Sequence, residues 1–173
     1  MGSLLHIDCF AGISGDMMVA ALLDLGLKLE AVREELSKLP LSGYEISLKD
    51  TRPQSLAAKK FEVKVSIQES RNYQQIKDML KSARLNPQVK KDSLGMFKIL
   101  AEAEAKIHGC SPEEVHFHEV GAVDSIIDIV AAAAAMNKLK IGQVSSSHIP
   151  LGSGLVKCDH GLIPVPAPAV TEI

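Results

Sequence analysis

Val115 to Val130, VHFHEVGAVDSIIDIV, is the stretch whose reading decides the fold. It gathers His116, His118, Glu119, Asp124 and Asp128 around a single glycine, Gly121. An extended backbone alternates its side chains, so His116 and His118 fall on one face and Phe117 on the other. After Gly121 the apolar residues Val123, Ile126, Ile127, Val130, Ala134 and Leu139 recur at helical spacing, and the alanine run from Ala131 favours helix. A helix beginning near Gly121 or Ala122 places Asp124 and Asp128 on one face of its first two turns, where carboxylates complement the positive end of the helix dipole. The segment reads as a histidine strand, a tight turn and a carboxylate-bearing helix. Its plain structural alternative is a polar edge strand followed by ordinary capping aspartates.

Upstream, Leu4 to Cys9 is a short apolar run, followed by FAGISGD (Phe10 to Asp16) and a helical pattern through Met17, Ala21, Leu22 and Leu25. Strand, glycine turn and helix in that order predict backbone amides at Gly12, Ser14 and Gly15 that can receive an anion, with Asp8 and Asp16 beside them to hold a cation. Neither a Walker loop nor GxGxxG is present, and a structural turn explains GxxGD equally well. Leu29 to Leu39 is a second amphipathic helix ended by Pro40. From Tyr44 the apolar period falls to two, through Ile46 and Leu48 and again from Phe61 to Ile67, which predicts an antiparallel pair around a loop at 50–58. Helical spacing resumes from Arg71 to Arg84. Asn86-Pro87 then opens a longer helix that Gly109 closes, with His108 complementing its C-terminal dipole. Ser111 to Glu114 reads as a short capping box leading into the histidines.

Beyond the central helix, Gly142 to Ile149 is strand-like. The stretch PLGSGLVKCDHGLIPVPAP follows, with Gly152, Ser153 and Gly154 as a second anion-contacting turn and His160, two residues from Cys158, as a further metal ligand. Its prolines, Pro164, Pro166 and Pro168, predict an extended surface loop without helix or inner strand; a proline-rich linker is the alternative. Ala169 to Ile173 begins to look helical.

Taken together, the element order predicts an α/β fold: a mixed sheet with flanking helices, the Leu4 and Val144 strands as neighbours, and a small strand-strand-helix insertion at about 42–84. The expected catalytic carboxylates are Asp8, Asp16, Glu119 and Asp124. The expected metal ligands are His116, His118, Asp128 and His160. Composition narrows the partners. Lys+Arg 19 against Asp+Glu 21 leaves a net charge of −2, and aromatics at 3% with no Trp supply no stacking platform, so neither nucleic acid nor an anionic membrane is expected. Three widely spaced cysteines without a CxxC pair argue against a disulfide framework and for a reducing cytoplasm. The Ala131 to Ala135 run is too short to span a bilayer.

DCFAGISGDM (Asp8 to Met17), HFHEVGAVDSIIDIV (His116 to Val130) and PLGSGLVKCDHGLIPVPAPA (Pro150 to Ala169), with LAEAEAKIHG before the histidines, together resemble the LarC family of nickel insertion proteins. The resemblance implies a CTP-dependent cyclometallase, a nickel chelatase that inserts Ni(II) into pyridinium bisthiocarboxylic acid mononucleotide to make the nickel-pincer cofactor of lactate racemase. It also implies that residues 1–173 are the N-terminal domain of a longer chain, that CTP with Mg or Mn is held mainly by an absent C-terminal domain, and that the fragment alone can be inactive. Lactate racemase or other pathway proteins are the implied partners, and a homo-oligomer is expected. One departure stands at Arg52 to Ala57, RPQSLA, where the family tends to carry a glycine. Two other readings fit the residues: a zinc hydrolase using His116 and His118 with His148 or His160 as third ligand and Asp124 or Asp128 as base, and a non-enzymatic nickel storage or delivery domain.

Overall fold

The structure is a computed structural model that describes residues 2–66, 70–117, 120–158 and 161–173. Its centre is helix α5, Val123–Lys138, preceded by the Gly121 turn as the spacing predicts. All five alanines from Ala131 to Ala135 are buried, so this part of the helix is enclosed on every side, and its small side chains let neighbouring elements approach closely. Helices α1 (Gly15–Asp24), α2 (Leu29–Leu36) and α4 (Pro87–His108) all pack on it. Helix α4 starts at the predicted Asn86 cap, whose side chain accepts from the Gln88 N–H, and ends at Gly109 in the left-handed conformation. Helix α3, Tyr73–Ser82, carries a capping box between Asn72 and Gln75.

The fold class is α/β, with the described strands arranged as three pairs. Strand β1 (Ser3–Ile7) lies parallel to β4 (Ile141–Ser146), so the Leu4 and Val144 strands are neighbours as expected. Strands β2 (Tyr44–Thr51) and β3 (Ala58–Val65) form an antiparallel hairpin in which Ile46 and Phe61 turn inward. With Ile76 and Leu80 of α3 they share one core with α1 and α5. No helix among the described residues is long and apolar enough to cross a membrane.

Two expectations are corrected. The histidine strand reduces to a single antiparallel bridge between Asn72 and His116, although its alternation survives: Val115 and Phe117 are buried and His116 is exposed. The proline-rich stretch is not a loop throughout. Leu155–Cys158 (β5) and Gly161–Pro164 (β6) pair antiparallel, and Pro168–Glu172 forms a short helix, α6. Pro164 is the last residue of its strand and Pro168 the first of its helix, two places where a missing N–H costs little.

The RPQSLA stretch lies in the β2–β3 loop. Gln54 and Ser55 both hold positive φ, 49° and 69°, a backbone conformation that glycine adopts without penalty and other residues resist. Replacing Ser55 by glycine is therefore expected to stabilise the protein by about 0.5–1 kcal/mol, read as a higher midpoint in urea at unchanged slope. A lower midpoint would show that the Ser55 side chain contributes something the backbone does not reveal.

Candidate carboxylate cleft

The N-terminal turns of α1 and α5 meet, and Gly15 marks the contact. A Cβ at Gly15 would stand 2.7 Å from Oδ2 and 2.8 Å from Cβ of Asp128, so only glycine lets the two turns approach this closely. Asp16, Asp124 and Asp128 consequently open into one cleft, whose far wall is β3 with Lys60, Glu62 and Lys64. Neither helix has a side-chain cap on its Ncap residue: Ser14 of α1 spends its hydroxyl on Asp16, and Ala122 of α5 has none to offer.

The charges in this cleft are unequally matched. Lys60 pairs with Glu62 at 2.8 Å, and hydrogen bonds from Lys49 and Lys60 hold the Glu62 carboxyl down to about 2. Among the described residues Asp128 has no such partner. Its Oδ1 is buried without a hydrogen bond, and burial, then the charges of Asp16 and Asp124, push its carboxyl up to about 7.

That displacement fixes a pH dependence. Between about pH 4 and pH 7 the folded chain keeps on Asp128 a proton that the unfolded chain has released, so stability falls as pH rises through this window. Asp128→Asn removes the ionisation. Thermal melts should show the variant gaining on wild type from pH 4.5 to pH 8, by on the order of 1–2 kcal/mol once solvent screening of this partly exposed group is allowed for. Parallel stability profiles would refute the assignment.

The remaining expected site residues are dispersed. Asp8 is exposed at the end of β1, where Cys9 N–H donates to Ser147 Oγ at 2.8 Å and Gly12 N–H closes a turn on the Cys9 carbonyl at 2.8 Å. Gly12 and Gly154 hold φ of +88° and +107° with nothing within 4 Å of a would-be Cβ, so backbone conformation, not a crowding neighbour, calls for glycine there. Gly152, Ser153 and Gly154 are exposed in the loop before β5 and line neither this cleft nor the apolar cavity beside Phe117. His116 lines neither of them, and His148 is exposed. His118, Glu119 and His160 lie outside the described residues. Among the described residues no three His, Cys, Asp or Glu side chains are grouped to hold a metal ion. The cleft as it stands is an open carboxylate site, not a closed metal centre. Lys60 and Glu62 were not foreseen as cleft residues, though the alternation of AKKFEVKV sets Lys60, Glu62 and Lys64 on the face opposite Phe61 and Val63.

Fold and cleft thus define a class: an α/β domain that gathers three aspartates where the N-terminal turns of two helices meet. The sequence profile of the nickel insertion protein family matches residues 5–173. The pyridinium-3,5-bisthiocarboxylic acid mononucleotide nickel insertion protein of Geobacillus kaustophilus is 48% identical over 98% of this chain and 44% of its own length. The protein of the same name in Clostridium kluyveri is 47% identical over 98% of this chain and 46% of its own. No solved structure matches. The chain belongs to the nickel insertion protein family, and it spans about half the length of the curated relatives it matches.

Proposed function

We propose that this protein inserts nickel into pyridinium-3,5-bisthiocarboxylic acid mononucleotide as a CTP-dependent cyclometallase, a lyase of nickel-pincer cofactor synthesis, with this chain as its N-terminal part. The observation that carries the reading is Asp128: a carboxyl oxygen buried without a partner beside two further acids is a negative locus that a divalent cation would neutralise. Ni(II) is the substrate here and must leave. Carboxylate oxygen is a weaker donor to nickel than imidazole or sulfur, so metal loaded on the aspartates passes downhill to the thiocarboxylate sulfurs of the nucleotide, with His116 and His118 as ligands on the way. Forming the nickel–carbon bond replaces a ring hydrogen, which departs as a proton. A carboxyl poised near neutrality, as Asp128 is, suits that acceptor role.

CTP, with Mg or Mn, is assigned to the part of the relatives' length outside this chain. The reading places the protein in the cytoplasm, working as a homo-oligomer with lactate racemase or other proteins of the pathway. Its test is nickel insertion by the full-length protein supplied with CTP and the nucleotide. The Asp16→Asn, Asp124→Asn, Asp128→Asn variant is expected to lose turnover while keeping its melting transition, and turnover at the wild-type rate would refute the reading.

A further inference from the structure

Parallel strands belong to the interior of a sheet, where helical crossovers cover both faces, and two strands on their own are marginal in water. The β1–β4 pair is parallel, yet it is left open. Leu4, on the outer face of β1, is 63% exposed, and Val144, opposite Leu5 on the face toward the core, is 53% exposed. Apart from Ile141, every residue of β4 is exposed, and among the described residues no strand pairs with its second edge. Edge strands are commonly guarded by proline or charge, and IGQVSS has neither. Alongside lies a groove of about 630 Å³, lined by Gln88 and Asp92 of α4, Met136 and Asn137 of α5, and Ile141 and Val144 of β4. No residue of β1 lines it, so the groove runs along the side of β4 away from β1.

An unguarded edge beside a groove with apolar walls fits an added strand, whose backbone bonds to the edge and whose alternate side chains fill the groove. More than half the length of the curated relatives lies outside this chain. We propose that β4 pairs along this edge with a strand from that remaining part of the full-length protein, with apolar side chains resting on Met136, Ile141 and Val144. A second copy of β4 would serve the groove poorly, because Val144 is the only large apolar side chain it has after Ile141. The added strand extends the pair into a sheet and covers Val144. Helix α5 then serves both parts of the protein, with Asp124 and Asp128 on its first two turns and Met136 against the added strand near its end. Family membership alone underlies this pairing, which does not depend on the nickel reading.

The test uses the full-length protein. Gln143→benzoylphenylalanine places a photo-crosslinker on an exposed position of β4, and the product is mapped by mass spectrometry from an equal mixture of isotope-labelled and unlabelled protein. The crosslink is expected to join β4 to a peptide outside residues 1–173, with both peptides carrying the same label. Hydrogen exchange in the unsubstituted full-length protein should be slowed at every amide from Gly142 to Ser146, by at least about a hundredfold against unstructured peptide, because both edges of the strand are then bonded. Crosslinks confined to residues 1–173, or crosslinks that join labelled to unlabelled protein, would overturn the proposal. Alternate β4 amides exchanging at nearly the rate of unstructured peptide, the pattern of a free edge, would overturn it as well.

Discussion

Replacing Gly121 by alanine should cost about 3 kcal/mol of stability, the upper range for forcing atoms into a packed site, and lower the melting temperature by roughly 10 °C in a chain of this size. A Cβ at that position would stand 2.2 Å from the Arg71 carbonyl oxygen and 2.9 Å from that of Phe117, and both obstacles are backbone. Neither strand of the contact can yield easily. Arg71 N–H donates to the Gly121 carbonyl at 3.0 Å, Asn72 next to it caps α3, and Gly121 itself leads into α5. Separation of these backbones would move Phe117, whose ring is held by Tyr73 and Phe97. Gly95 is the natural control: it is exposed within α4 with nothing within 4 Å of its would-be Cβ, so Gly95→Ala should stabilise by about 0.5–1 kcal/mol. A Gly121→Ala melt within 2 °C of wild type would mean that the turn is not the tight contact described.

The parts of the fold legible in sequence were those governed by local rules. Gly121 followed by Val123, Ile126, Ile127 and Val130 announced α5, and Asn86-Pro87 with Gly109 bracketed α4, because caps and periodicity act within a few residues. The pairing of β1 with β4 followed from the order of elements, since parallel neighbours need a long crossover. The β5–β6 hairpin was hidden by its prolines, which usually forbid strands but are tolerated at a strand end, and whether a proline meets that condition depends on partners the local sequence does not name.

For the site, the aspartates on α5 were legible as a pair on one helix face, but their meeting with Asp16 was not foreseen. The structure brings Asp16, Asp124 and Asp128 together through the Gly15 contact. Close approach of two helices is a tertiary fact, and GxxGD alone could not distinguish an anion-binding turn from a packing glycine. Lys60 and Glu62 arrive from a hairpin more than sixty residues away from Asp124, so their role depended on which face of β3 met the helices.

The central claim is that the three aspartates receive the metal. Removing three carboxylates that line one open cleft deletes most of the field that attracts a divalent ion, and the expected loss in nickel affinity is on the order of 100-fold, about 2.7 kcal/mol. The fold should survive, because Asp124 is exposed, Asp16 and Asp128 are only partly buried, and relief of their mutual repulsion offsets the lost helix-dipole interactions. Equilibrium dialysis of Ni(II) against wild type and the Asp16→Asn, Asp124→Asn, Asp128→Asn variant, with thermal melts alongside, measures this directly. Wild type should bind nickel more tightly as pH rises through about 7, where Asp128 loses its proton, and the folded variant should bind about a hundredfold more weakly without that pH dependence. A folded variant that binds nickel as wild type does, at every pH, would contradict the account.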